Sequence, residues 1–282
     1  MDRVLDWADI SLNSEISVIK LLSQEALKKK ILHRIILMID LGDLREGIAP
    51  DEALQTVSGI RKLSGVKLIG IGANFCCISG VMPTRKNLTK LVKLAEEIEN
   101  NFRITLEVIS GGSTSVLKLV EDDLIPDKIN QLRIGIGILL GQDDVRLRNI
   151  AGTYQDTFIL TAEVIEVKEK PSLPQGEIGR DAFGEVPVFQ DLGIRKRAIL
   201  AIGKQDIHLN SLVPMKKEVK IVGASSDHLI IDINDFKKEV KVGDEVKFRL
   251  NIVAIWVANL PNIFPSASIR YHFLSISSAF AL

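Results

Sequence analysis

Up to Gly152 the chain alternates short apolar runs with amphipathic stretches of helical length, and that alternation leaves little choice of fold. Residues 10–13, 34–40, 66–71, 104–109 and 131–138 read as strands. Between them, residues 14–30, 50–63, 87–100 and 115–120 have the character of helices. Asn13 or Ser14 can cap the first helix, and Pro50 sits in the first turn of the second. Strands separated by helices make βαβ units and a parallel sheet. The central strands are apolar on both faces, as parallel strands covered on both sides should be.

After Gly152 the helical period disappears. Residues 157–168, 197–202, 218–222, 229–233 and 245–251 are short strand-like runs, and Gly243 with Asp244 is a turn signal. This half reads as an antiparallel β domain. Residues 170–194, punctuated by Pro and Gly, form a long connection of the kind that usually carries function or motion. The expected class is α/β: a partial TIM-type α/β barrel over residues 1–152, followed by a β domain over 153–282. A complete barrel takes roughly 250 residues, so 282 residues hold a barrel and a second domain only if the barrel is short.

The 36 Lys and Arg balance the 36 Asp and Glu. A nucleic-acid binder wants clustered excess positive charge, so that class is disfavoured. No stretch reaches the roughly 18–20 apolar residues of a membrane span, and the first ten residues lack the apolar core of a signal peptide. Cys76 and Cys77 are adjacent and there is no CxxC pair, which suits a reduced, cytoplasmic protein in which both simply pack. His33, His208, His228 and His272 show no metal spacing, so no metal site is expected. Ser225, Ser226, Asp227 and His228 hold the residue types of a triad, but neighbours on a strand face opposite ways.

Ligands of parallel α/β sheets bind beyond the C-terminal ends of the strands. There lie Asp40 to Gly47, Gly72 to Asn74, the segment SGGSTS at 110–115, and Arg133 with Gly135 and Gly137. SGGSTS suits a phosphate cradle, since glycines turn backbone N–H groups toward an anion and hydroxyls add donors; a plain glycine-rich loop is the bland alternative. Residues 135–141 miss the GxGxxG dinucleotide spacing by one place. Arg133, inside an apolar strand, needs a partner: a structural ion pair, or a cofactor or substrate. Arg45 is suited to clamp a substrate carboxylate, or to pair with Asp43 or Glu46.

Taken together, DLGDLREG at 40–47, GIGANF at 70–75, SGGSTS at 110–115 and QLRIGIGILLG at 131–141 resemble the alanine-racemase-like family. EIGRDAFGEVPVF at 177–189, RKRAILAIGKQD at 195–206 and GASSDHLIID at 223–232 are similar to its ornithine racemase branch. The resemblance runs from about residue 8 to 251; the tail from about 252, with Trp256, Phe264 and Tyr271, follows no matching pattern. It implies pyridoxal 5′-phosphate on the barrel, a small-molecule amino acid as substrate, racemisation by removal and return of the Cα proton, and a homodimer. Carried over by position, Arg133 matches the arginine on the pyridine nitrogen, Thr114 with Ser113 the phosphate hydroxyls, and Gly135 and Ile136 the backbone donors to that phosphate. Asn74 falls where alanine racemases set a histidine against the ring. Arg45 matches the arginine beside the catalytic tyrosine, Lys204 takes the place of that tyrosine, and Asp227 with Ser226 matches a pair given by the partner's β domain. The family's cofactor lysine, at the end of the first barrel strand, has no counterpart here. Two other readings remain: a degenerate cofactor-binding or inert homologue, and an unrelated barrel enzyme on a phosphorylated small molecule. A five-stranded arc exposes two parallel edges, so light scattering is expected to find oligomers or aggregates; a monodisperse monomer would contradict this.

Overall fold

The structure, a computed structural model, describes residues 2–143 and 145–251. The tail from about 252 therefore lies outside the described residues. The chain divides into two compact units: residues 1–138 with 142–150, and residues 139–141 with 151 onward.

The first unit opens with α1 (Asp2–Trp7), β1 (Ile10–Asn13), α2 (Ile16–Lys28), β2 (His33–Met38), α3 (Ala53–Ile60) and β3 (Val66–Gly72). It continues with α4 (Arg85–Phe102), β4 (Val108–Ser113), α5 (Leu117–Glu121), β5 (Gln131–Arg133) and α6 (Ile136–Leu140). A two-stranded ribbon, β6 (Gln142–Asp143) and β7 (Arg148–Asn149), closes the unit. Strands β1 to β5 form one sheet in sequence order, all parallel. Both faces are dry. Ile35, Leu37 and Ile39 pack into the core with α2, α3 and α4, while Ile36, Met38 and Ile69 form a second cluster with Ile10 and Val108.

Several boundaries differ from the sequence reading. Glu15, rather than Asn13 or Ser14, caps α2: its side chain accepts from Ser17 N at 3.0 Å, while Asn13 Nδ2 turns back to Ser11. The stretch 50–63 splits into a 3-10 turn, Pro50–Glu52, and α3. Helix α4 starts two residues early because Thr84 and Asn87 form a reciprocal capping box. Strand β4 starts late because Leu106 N is taken by the Glu99 carboxylate, which holds residues 104–106 against the end of α4. Strand β5 stops at Arg133, and residues expected to extend it form α6 instead.

The second unit comprises β8 (Ile159–Pro171), β9 (Ile194–Leu200), β10 (Leu212–Pro214), β11 (Lys220–Ala224), β12 (Leu229–Asp232) and β13 (Glu245–Leu250). They pair antiparallel in the order β10-β13-β8-β9-β12-β11. Alternate residues supply its core: Leu160, Ala162 and Val164; Ala198 and Leu200; Leu229 and Ile231. Strand β10, only three residues long, carried no sequence signal. No helix is long and apolar enough to cross a membrane among the described residues.

His33 begins β2 buried, with its Nε2 2.8 Å from Ser11 Oγ. Burial pulls its pKa below the ordinary 6.5. The unfolded chain then takes up the proton first as pH falls, so this group's effect is absent above 6.5 and lowers stability below it. We expect Tm to drop between about pH 7 and about pH 5, and His33→Gln to flatten that dependence; an equal slope in the variant would exclude His33 as the cause.

Candidate functional site at the strand ends

The loop after β2 is built on one carboxylate. Asp40 Oδ1 accepts N–H bonds from Gly42 at 2.8 Å and Asp43 at 2.9 Å, turning the chain sharply. That turn carries Asp43 inward, where it is 3% exposed. Its Oδ1 accepts from Cys77 N at 2.9 Å, Ile78 N at 3.3 Å and Ser79 Oγ at 3.4 Å, and Asn74 Nδ2 lies 3.5 Å from Oδ2. A single buried carboxylate thus ties the loop after β2 to the loop after β3.

Arg133, at the end of β5, reaches into this cluster. Nη1 donates to Ser110 Oγ at 2.5 Å, and Nη2 to Ala73 O at 2.9 Å and Asn74 Oδ1 at 3.5 Å. These acceptors are all neutral, and Nε donates to none of the described residues. Burial lowers the guanidinium's pKa, with the charge of Glu46 opposing that shift. The structural ion pair that was one reading of Arg133 is therefore absent among the described residues; this is a half-buried cation with a donor to spare. Asn74 joins the two loops, since Nδ2 also donates to Cys77 Sγ at 2.9 Å.

Arg45 forks onto its neighbour. Its Nε and Nη2 donate to the two oxygens of Glu46, Nη2 at 2.6 Å, and Nη1 donates to Cys77 Sγ at 3.1 Å. Those hydrogen bonds hold the Glu46 carboxyl below its usual value. The expectation that both cysteines pack fails for Cys77, which is exposed with its sulfur between two donors. Cys76, half-buried, donates to Val81 O.

Beside Arg133 the chain bulges. Ser113 pairs with Arg133 in the sheet register, and the slip from Ser110 is absorbed at Gly111 and Gly112. Gly112 has φ +129°, and a Cβ there would sit 3.0 Å from Val116. The bulge presents Ser113 and Thr114 next to the start of α6. Gly137 N donates to Thr114 Oγ1 at 3.2 Å, which draws residues 135–137 out of β5. Around Gly135 the position of a Cβ is open, with nothing within 4 Å. Arg146, which sequence reading missed, supports this loop by donating to Ser115 O at 2.6 Å and to the fully buried Asp143 at 3.2 Å.

The β unit holds its own polar cluster. Lys204 N and Gln205 N donate to Ser225 O and Ser226 O, so the two turns are stapled together. Gly203 permits that approach: a Cβ there would lie 2.1 Å from Ser226 O. Lys204 Nζ sits 3.5 Å from the Phe183 ring centre and 3.8 Å from Asp181. Residues 225–228 form a turn and not a strand, and Ser225 Oγ, Ser226 Oγ and His228 Nδ1 all lie within 3.1 Å of Asp227 Oδ1. Neither Ser225 Oγ nor Ser226 Oγ is hydrogen-bonded to the imidazole, so these four residues form no nucleophilic triad among themselves. No cluster suited to a metal ion exists among the described residues.

A parallel α/β sheet with its polar cluster at the strand ends, and a separate antiparallel β unit, belong to the barrel-and-β-domain class of α/β proteins. Residues 3–143 match the family described as alanine racemase, N-terminal domain. The chain is 43% identical over 256 residues to ornithine racemase of Acetoanaerobium sticklandii, covering 90% of itself and 72% of that protein. It is 48% identical over 217 residues to lysine racemase of Thermotoga maritima, covering 77% of itself and 60% of that protein. Among solved structures, alanine racemase from Bartonella henselae with covalently bound pyridoxal phosphate superposes with TM-score 0.56 at 16% identity, over 87% of this chain and 66% of that one, a likeness of fold. This chain belongs to the alanine racemase N-terminal domain family.

Asp43→Ala would leave the Cys77 and Ile78 amides without their acceptor. The expected cost is about 1.5–3 kcal/mol, the range for hydrogen bonds to a charged group. It would be read by urea unfolding, with faster hydrogen exchange at residues 77–79. Unchanged protection there would refute the carboxylate's role as the tie between the loops.

Proposed function

We propose that this chain is a pyridoxal 5′-phosphate-dependent racemase of amino acids, nearest in substrate to ornithine, acting as a cytoplasmic homodimer. The observation that carries the reading is Arg133: a half-buried guanidinium with neutral partners and an unspent Nε–H, register-paired with Ser113 at the head of a glycine bulge. Those residues fit the cofactor's two ends. The bulge offers Ser113 and Thr114 hydroxyls and the Gly135 and Ile136 amides to a phosphate, with open space at Gly135. Arg133 donates to a pyridine nitrogen. Arginine only donates and stays protonated, so it keeps that nitrogen free of a proton and moderates the ring's electron demand. Bound there, the cofactor makes the substrate's Cα proton acidic.

Asn74, bonded to both Arg133 and Cys77, would keep them in place beside the cofactor. Arg45 is the group for the substrate carboxylate. Racemisation needs proton donors and acceptors on both faces of Cα. Lys204 and Asp227 are the groups proposed for one of those faces, supplied from the β unit of the partner subunit, since their two turns are stapled together. The cytoplasmic, reduced setting rests on the absence of any CxxC pair.

Titration with pyridoxal phosphate, followed by absorbance and by borohydride reduction with peptide mapping, tests the reading. We expect saturable binding that weakens by about tenfold or more, roughly 1.4 kcal/mol, in a Thr114→Ala/Arg133→Ala double variant. A labelled lysine supports catalysis, and reversible binding alone points to an inert homologue. Absence of binding, with another phosphoester bound instead, would overturn the proposal.

A further inference from the structure

We propose that Glu46 selects substrates bearing a side-chain ammonium, with the Arg45–Glu46 ion pair acting as a template that a dibasic amino acid replaces charge for charge. This rests on the function proposed above. Arg45 and Glu46 project from a loop that cannot easily shift. Asp40 Oδ1 pins its beginning, and at its end Gly47, with φ +131°, packs so closely that a Cβ would lie 2.4 Å from Asp40 N. The two charges are therefore presented on a rigid base, the condition for specificity. The pair itself is accessible, with side chains 41% and 33% exposed. An ion pair so exposed contributes little to stability and opens at little cost.

Charge decides what can replace it. Glu46 and Asp43 act on Arg45, and Glu46 is the carboxylate that acts on Arg133; Asp40 is spent on the amides of the turn. Asp43 is committed to backbone donors and has no capacity for a ligand cation. When a substrate carboxylate takes the guanidinium fork of Arg45, Glu46 loses its partner. A neutral side chain leaves Glu46, a third exposed, with no partner in place of the guanidinium it gave up. An ammonium on the substrate side chain pairs with Glu46 instead. The charge of Arg133 also lowers the Glu46 carboxyl, which favours the ionised form.

The test uses the reduced phosphopyridoxyl conjugates of ornithine and of norleucine, which differ by ammonium against methyl at the same chain length. Neither needs a covalent bond to the protein, and calorimetry on the full chain reads each Kd. The expected result is a preference of about threefold or more for the ornithine conjugate, the scale of a partly exposed ion pair. Glu46→Gln should bring that ratio near one, and Glu46→Asp, which keeps the carboxylate, should retain a preference. Equal binding of both conjugates by the unaltered chain, or a ratio that survives in Glu46→Gln, would overturn the role of Glu46 while leaving the cofactor reading intact. If neither conjugate binds and pyridoxal phosphate itself does not, both fall together.

Discussion

The candidate site depends on the buried carboxylate of Asp43. A parallel sheet aligns strand ends but leaves their loops to find their own conformations. Here one acceptor, spending its lone pairs on the Cys77 and Ile78 amides and the Ser79 hydroxyl, is the main tie between two loops distant in sequence. From that junction Asn74 and Cys77 take fixed places, and through them so do Arg133 and Arg45. The polar cluster is thus a connected network, in which a half-satisfied member would cost more than an apolar substitute.

A second constraint works beside the first. The glycine bulge between Ser110 and Ser113 lets β4 pass Phe75 and Val116 without a side chain in the way, and hands Thr114 to the amide of Gly137. That hydrogen bond ends β5 and starts α6. A cation and two hydroxyl side chains come to lie close in the sheet register because two strands are paired there and one of them slips. The arrangement suits a ligand with an acceptor at one end and a phosphate at the other.

Much of this was legible in the residues themselves. The alternation of apolar runs yielded five parallel strands, and Arg133, Asn74, Thr114 and Gly135 stood out as polar or glycine residues at strand ends. The failures have physical causes. Residues 104–106 look like strand, but Glu99 claims their backbone. Residues 134–138 look like strand, but Thr114, more than twenty positions earlier, draws Gly137 away. Cys77 looked like packing because adjacent cysteines give no hint of which loop carboxylate will orient them. Asp43 and Glu46 lay inside a recognised motif, yet nothing in its order says that one is buried and the other forked to Arg45.

The sequence by itself determined the α/β class, the division of texture at Gly152 and the family, because hydrophobic period and ordered motifs are local properties of the chain. Only the tertiary structure decided which charges meet: that Arg133 has no carboxylate partner, that Asp43 binds backbone, and that Arg45 holds Glu46. Hydrogen bonds between loops distant in sequence form only after the strands are paired, and their partners are chosen by distance and burial that no local pattern encodes.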